Sequence, residues 1–184
     1  MGYQTLDVEP LAGAMGAVIH GLDLTADLSN QAFDEIHQAF LEHKAIFFHG
    51  QDLDPHQQIA FARRFGPMSI YPFMEGLPEA FTTKPPLGTM LYALEMPDAG
   101  GDTMFANTAL AYDALSDGMK DMLDGLIGIY SAALKRSGGR AKSFKTATAM
   151  APKNMDSVEM EAEHPIVRTH PETGKKSLYC DTSY

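Results

Sequence analysis

Cysteine is nearly absent from this chain: Cys180 is the one thiol in 184 residues. A lone cysteine builds neither a disulfide framework nor a cysteine zinc site, so a reducing compartment is expected and the fold must rest on an apolar core. Positive charge is also scarce. Fourteen Lys and Arg stand against 24 Asp and Glu, a formal net charge of −10, which disfavours non-specific nucleic-acid binding and adhesion to anionic membranes. An anionic small substrate stays compatible, because a local pocket can oppose the global charge. No apolar run approaches the roughly 20 residues of a membrane span. Met1-Gly2-Tyr3-Gln4-Thr5 lacks the basic region and apolar stretch of a secretory signal. A soluble cytoplasmic protein is expected, with no nucleic acid and no membrane among its partners, and with self-association into a homo-oligomer left open. Gly-rich phosphate loops, G-x-S-x-G elbows and H-E-x-x-H helices are missing too, which removes the common nucleotide, serine-hydrolase and zincin motifs.

What is present suits one domain, since 184 residues with 45% apolar content can bury a real core. Residues 5 to 24 alternate loosely and predict one or two short strands at a sheet edge. Ser29 or Asn30 can cap a helix over 31–42 whose Phe33, Ile36 and Phe40 recur at helical spacing, leaving His37 and His43 at its boundary. Ala45-Ile46-Phe47-Phe48 reads as a core strand closed by Gly50. Asp54-Pro55-His56-Gln57 predicts a helix start with a capping box, and Gly66-Pro67 its end, with Ile59, Ala62 and Phe65 facing the core and Arg63 and Arg64 at the polar edge.

Beyond Pro85, Met90–Leu94 and Thr103–Ala106 have strand composition and flank a Pro97–Gly101 turn, which predicts a hairpin. Short helices over 108–115 and 116–126 follow, the second with Met119, Met122, Leu123 and Leu126 on one face. Residues 135–158 carry no apolar period and are expected to form a lid. A final hairpin joins Pro165–Arg168 to Lys176–Tyr179 across Pro171-Glu172-Thr173-Gly174. The mixture predicts an α+β, mainly β fold with an antiparallel sheet or barrel.

The search for chemistry narrows to histidines and carboxylates. His170-Pro171-Glu172 is the sole H-x-[DE] arrangement and has the spacing of two arms of an iron-binding facial triad, but the Pro-Glu-Thr-Gly turn signal places it at a hairpin tip. Gly100-Gly101 before Asp102-Thr103 predicts a sharp turn that frees a hydroxyl suited to a carboxylate. The same four residues suit an ordinary turn leading into a strand.

Five segments in order carry more. They are His43-Lys44-Ala45-Ile46-Phe47-Phe48-His49-Gly50-Gln51, Gln58-Ile59-Ala60-Phe61-Ala62-Arg63-Arg64-Phe65-Gly66, Pro85-Pro86-Leu87-Gly88-Thr89-Met90-Leu91-Tyr92-Ala93, Gly100-Gly101-Asp102-Thr103-Met104-Phe105-Ala106-Asn107 and His164-Pro165-Ile166-Val167-Arg168-Thr169-His170-Pro171. Together they resemble the taurine dioxygenase family of Fe(II)- and 2-oxoglutarate-dependent oxygenases, over nearly the whole chain. The resemblance implies a double-stranded β-helix, a jelly-roll barrel with flanking helices and iron at its mouth. It also implies hydroxylation of a small organic acid by molecular oxygen, giving succinate and CO2. Thr103 matches the family threonine that hydrogen-bonds the co-substrate carboxylate. Tyr71 falls where the taurine enzymes place a histidine that meets the sulfonate, which argues against taurine and for another small acid, alkyl or aryloxy. Met74 falls at a further substrate-pocket position.

The family's iron-binding His-x-Asp lies between the regions matching 73–79 and 81–86, and here these meet at Ala80/Phe81. The chain also stops at Tyr184, ahead of the family's distal histidine and its 2-oxoglutarate-binding arginine. Segments near Ala80/Phe81 and after Tyr184 are therefore expected to be omitted from an otherwise single dioxygenase-like domain spanning 1–184. No metal ligand and no catalytic residue is assigned, and His170 and Glu172 are not promoted to that role. The rival expectation is a metal-free barrel relative or fragment that binds a small molecule or a partner protein.

Overall fold

Ser29 decides where the first helix begins: its hydroxyl accepts the Ala32 N–H at 3.1 Å, and the chain behind it turns helical. In the computed structural model, which describes residues 2–68, 86–131 and 161–180, the elements before and including that helix are β1 (Asp7–Pro10), β2 (Ala17–His20) and α1 (Asn30–His43). There follow β3 (Ile46–Phe48), α2 (Pro55–Arg63), α3 (Thr108–Asp113), α4 (Asp117–Leu123), β4 (Ile127–Ser131), β5 (Glu161–Pro165), β6 (Val167–Thr169) and β7 (Lys176–Leu178). They divide into two compact units, Met1–Met68 with Met90–Asn107, and Ser69–Thr89 with Thr108–Tyr184.

In the first unit β2 lies between β1, antiparallel, and β3, parallel. Parallel neighbours need a crossover, and α1 is that crossover. It packs on β2 and β3 and buries Ala32, Phe33, Ile36 and Ala39. Ala17, Val18 and Ile19 are all buried, as a central strand covered on both faces must be. The core gathers Leu6, Ile19, Leu24, Phe33, Ile36, Ala39, Leu53 and Phe61, with Phe33 and Phe61 edge to face at 6.4 Å.

Two expectations change here. Residues 45–48 form an edge strand, half exposed, because no strand among the described residues lies beyond β3. On α2 the capping box is present, but Phe61 is the buried residue and Ile59 is 38% exposed. Arg64 has structural work: its guanidinium donates to the Leu28 carbonyl and Asn30 Oδ1 at 2.7 and 3.0 Å and lies over the Phe33 ring.

Glu35 ties the N-terminal segment to α1. Its Oε2 accepts the Thr5 N–H and hydroxyl, both at 2.8 Å, and the Gln4 N–H at 2.9 Å. These bonds, that of the Thr5 backbone foremost, hold its carboxyl down from an ordinary 4.5 to about 2. A depressed carboxylate stabilises the fold above its unfolded value and loses that contribution as pH falls from about 4.5 toward 2. Glu35→Gln is accordingly expected to lower the melting temperature at pH 7, and the two proteins should converge near pH 2. Melting curves that stay parallel across that window would contradict the assignment. Nearby, burial and the hydrogen bond to Glu42 push the Tyr3 hydroxyl up to about 12.

In the second unit β4 pairs antiparallel with β5, and β6 with β7. α3 packs on β7. The last hairpin is as expected. The β4–β5 ladder has no counterpart in the sequence expectations, and the apolar face of α4 is not buried, with Met119 and Met122 41 and 56% exposed. The strands make sheets of three, two and two, and among the described residues no closed barrel forms. Met90–Leu94 and Thr103–Ala106 join no ladder, so the expected hairpin is absent. The expected lid over 135–158 lies outside the described residues. Among the described residues no helix is long and apolar enough to cross a membrane.

Candidate functional site

Gly100 and Gly101 have φ of 81° and 75°, two successive left-handed residues that only glycine adopts without strain. The turn they make delivers Asp102 and Thr103 to the wall of an open cavity of about 400 Å³ within the first unit. Leu11, Met15, Phe47, Met96 and Phe105 supply its apolar lining. The Phe47 ring of β3 meets Phe105 edge to face at 6.4 Å. Asn107 closes the segment by donating from Nδ2 to the Ala14 carbonyl at 2.7 Å, which pins it to the loop between β1 and β2.

The segment is held from its other side by Tyr92, whose hydroxyl accepts the Leu53 N–H at 3.2 Å and donates to the Gln51 carbonyl at 3.1 Å. Gln51 in turn clamps the loop after β2: its Oε1 accepts the Leu24 N–H at 2.7 Å and its Nε2 donates to the Leu22 carbonyl at 3.1 Å. Tyr92→Phe keeps the ring and strands the Leu53 N–H, so a loss of about 1–3 kcal/mol in unfolding free energy is expected. Faster amide exchange at Leu53 should accompany it; an unchanged denaturation midpoint would remove Tyr92 as the anchor.

Thr103 is solvent-exposed. Among the described residues that line the cavity, Asp102 is the one ionisable side chain. Tyr71 and Met74 lie outside the described residues. The cavity's contributors from Leu11 to Gly16 were not singled out in the sequence, although an uncharged loop of Leu, Ala, Gly and Met between two strands is itself a signal.

Iron is the metal the resemblance implies, and the described residues do not fit it. All seven histidines fall within the described residues, and among these residues no three His, Cys, Asp or Glu side chains gather into a group that could hold a metal ion. His170 Nδ1 accepts the N–H groups of Glu172 and Thr173 at 3.2 and 3.3 Å, which makes its ring part of the turn. His164 is 2% exposed, edge to face with Tyr130 and Tyr179, 5.3 and 5.2 Å away. The Tyr130 hydroxyl donates to the Tyr179 carbonyl, and Arg168 covers the outer ring. His164 is thus a packed member of the second unit's core, which its sequence neighbours did not indicate.

The family model described as "Taurine catabolism dioxygenase TauD, TfdA family" matches residues 7–80 and 78–184, and the chain belongs to that family. It is 32% identical to an alkylsulfatase of Acinetobacter baylyi, over 95% of this chain and 62% of that protein. It is 33% identical to an alpha-ketoglutarate-dependent sulfate ester dioxygenase of Pseudomonas putida, over 94% of this chain and 65% of that protein. A taurine dioxygenase structure from Burkholderia xenovorans superposes with a TM-score of 0.75 at 28% identity, over 96% of this chain and 64% of that one. The chain therefore spans less than two thirds of the length of these relatives. The two alignments run over 198 and 201 positions, more than the 184 residues here, so the relatives also carry residues within the matched span that have no counterpart.

Proposed function

We propose that this chain is the larger part of a cytoplasmic Fe(II)- and 2-oxoglutarate-dependent dioxygenase that hydroxylates a small organic acid with an alkyl or aryloxy body. One atom of molecular oxygen enters the substrate C–H bond and the other enters succinate, with release of CO2 from 2-oxoglutarate. The observation that supports this most directly is the family match over two blocks that meet at residues 78–80, together with Thr103 on the wall of an apolar cavity. Thr103 donates to the co-substrate carboxylate, and Tyr71 and Met74 are the proposed substrate-binding residues. Iron and its ligands are supplied by polypeptide outside these 184 residues, inserted near Ala80/Phe81 and following Tyr184, which also completes the jelly-roll barrel. No step of the chemistry is assigned to a residue of this chain.

The absence of a metal-binding group among the described residues favours a second reading, in which the 184-residue chain is a metal-free binding module. Succinate formation separates the two. The chain, and the same chain extended to the length of its relatives, are incubated with Fe(II), 2-oxoglutarate and a panel of alkyl sulfates, sulfonates and phenoxy acids. Substrate-dependent succinate from the extended protein is expected, and none from the 184-residue chain. No succinate from either, with the extended protein folded and iron-loaded, would leave the binding module standing.

A further inference from the structure

Two of the described residues that line the cavity carry a thioether: Met15, from the loop between β1 and β2, and Met96, from the segment ahead of the glycine turn. Met15 is half-buried, whereas Met96 is 71% exposed. Its neighbours hold it there. A residue ahead of proline is confined to extended backbone, and the Pro97 ring packs on Gly101, where an added Cβ would stand 3.6 Å from Pro97 Cγ. Met96 thus belongs to the cavity wall and meets water at once. The other exposed methionines among the described residues, Met68, Met104, Met119 and Met122, do not line the cavity. Met90, six positions earlier, packs against the core.

A thioether open to solvent reacts with peroxides, whereas a packed one is shielded. We propose that Met96 is a site of reversible oxidation by hydroperoxides, and that its sulfoxide makes one wall of the cavity polar. The sulfur lone pair attacks one peroxide oxygen, the O–O bond breaks and an S–O bond forms. Sulfur gives up two electrons, and the peroxide is reduced to water or, from an alkyl hydroperoxide, to an alcohol. The product replaces a flexible apolar side chain by a polar, chiral one. In a wall otherwise built from Leu11, Met15, Phe47 and Phe105, the new oxygen is a hydrogen-bond acceptor among apolar groups. Methionine sulfoxide reductases, one for each sulfoxide epimer, reverse the change. Neither the cavity nor the exposure of Met96 depends on the activity proposed above.

The test treats the folded 184-residue chain, isotopically labelled at its methionine methyl groups, with hydrogen peroxide. Oxidation is mapped by peptide mass spectrometry over time, and the methyl signals are followed by NMR. Met96 is expected to gain one oxygen, about 16 Da, roughly tenfold or more faster than Met90. The Met15 methyl signal, across the same cavity, should shift as Met96 is oxidised. Met96→Leu keeps an apolar side chain of similar volume, and in that variant peroxide should leave the Met15 signal in place although Met104, 94% exposed, is still oxidised. The two reductases together should return the mass and the spectrum of the untreated protein. Three results would overturn the proposal: oxidation of Met96 no faster than that of Met90, a Met15 shift of equal size in Met96→Leu, or a Met96 sulfoxide that the reductases leave in place on the folded chain. Succinate is not the readout. A chain oxidised at Met96 that never yields succinate would count against the dioxygenase alone, and an extended protein that makes succinate with Met96 unreactive would count against the oxidation site alone.

Discussion

Ile36→Ala is expected to lower the unfolding free energy by about 2–5 kcal/mol. Ile36 has no exposed surface and sits where α1 meets the sheet, among Ile19, Phe33, Ala39, Leu53 and Phe61. Removing its branched tail forfeits the transfer energy of those carbons and leaves a cavity that strands on one side and a helix on the other cannot close. Chemical denaturation should show a lower midpoint at unchanged slope. Leu94→Ala is the control: the same kind of deletion at a residue 90% exposed should stay within about 0.5 kcal/mol of the parent. Equal losses at the two positions would mean that the core is not where the structure puts it.

Thr103→Ala should weaken 2-oxoglutarate binding by about 1–3 kcal/mol, roughly fivefold to 150-fold in Kd, when measured on the extended, iron-loaded protein. The hydroxyl is the neutral donor on a cavity wall that otherwise offers an anion the Asp102 carboxylate. Thr103→Ser keeps the donor and should bind nearly as the parent does. Because Thr103 is exposed and bonds to no other described residue, both variants should melt with the parent protein. Unaltered affinity in the alanine variant would remove Thr103 from the co-substrate site, and a lowered melting temperature would recast it as a structural turn residue.

Much of the local structure could be read from neighbouring residues alone. Ser29 before an amphipathic run, and Asp54-Pro55-x-Gln57, are rules that act within one helical turn, and the structure realises both caps with the expected bonds. Of the stripe expected for α2, Phe65 packs against the core, but Ile59 does not, because a helix of nine residues makes too few turns for three apolar residues to fix its orientation. Phe61 lies inward because Phe33 and Phe48 offer it edges to pack against, and those partners are 28 and 13 positions away in the sequence.

The strand-type runs at 90–94 and 103–106 show the opposite limit. Their composition is correct for strands, but a strand exists only when another chain segment accepts its hydrogen bonds. The β4–β5 ladder, in contrast, joins Ile127–Ser131 to Glu161–Pro165 although neither run stood out alone. The candidate site divides in the same way. Gly100-Gly101-Asp102-Thr103 announces its turn locally, while Leu11, Met15 and Phe47 reach the same cavity only because β2 aligns the loop before it with β3.

By itself the sequence determined composition class, family, helix caps and turns, because each is encoded by residues a few positions apart or by an ordered set of segments. Tertiary structure alone decided which apolar residues are core, that β3 is an edge, that His164 is buried between tyrosines and that no described group can hold iron. Burial and ligation depend on distances between residues far apart in the chain, and those distances are set by packing, which no local pattern contains.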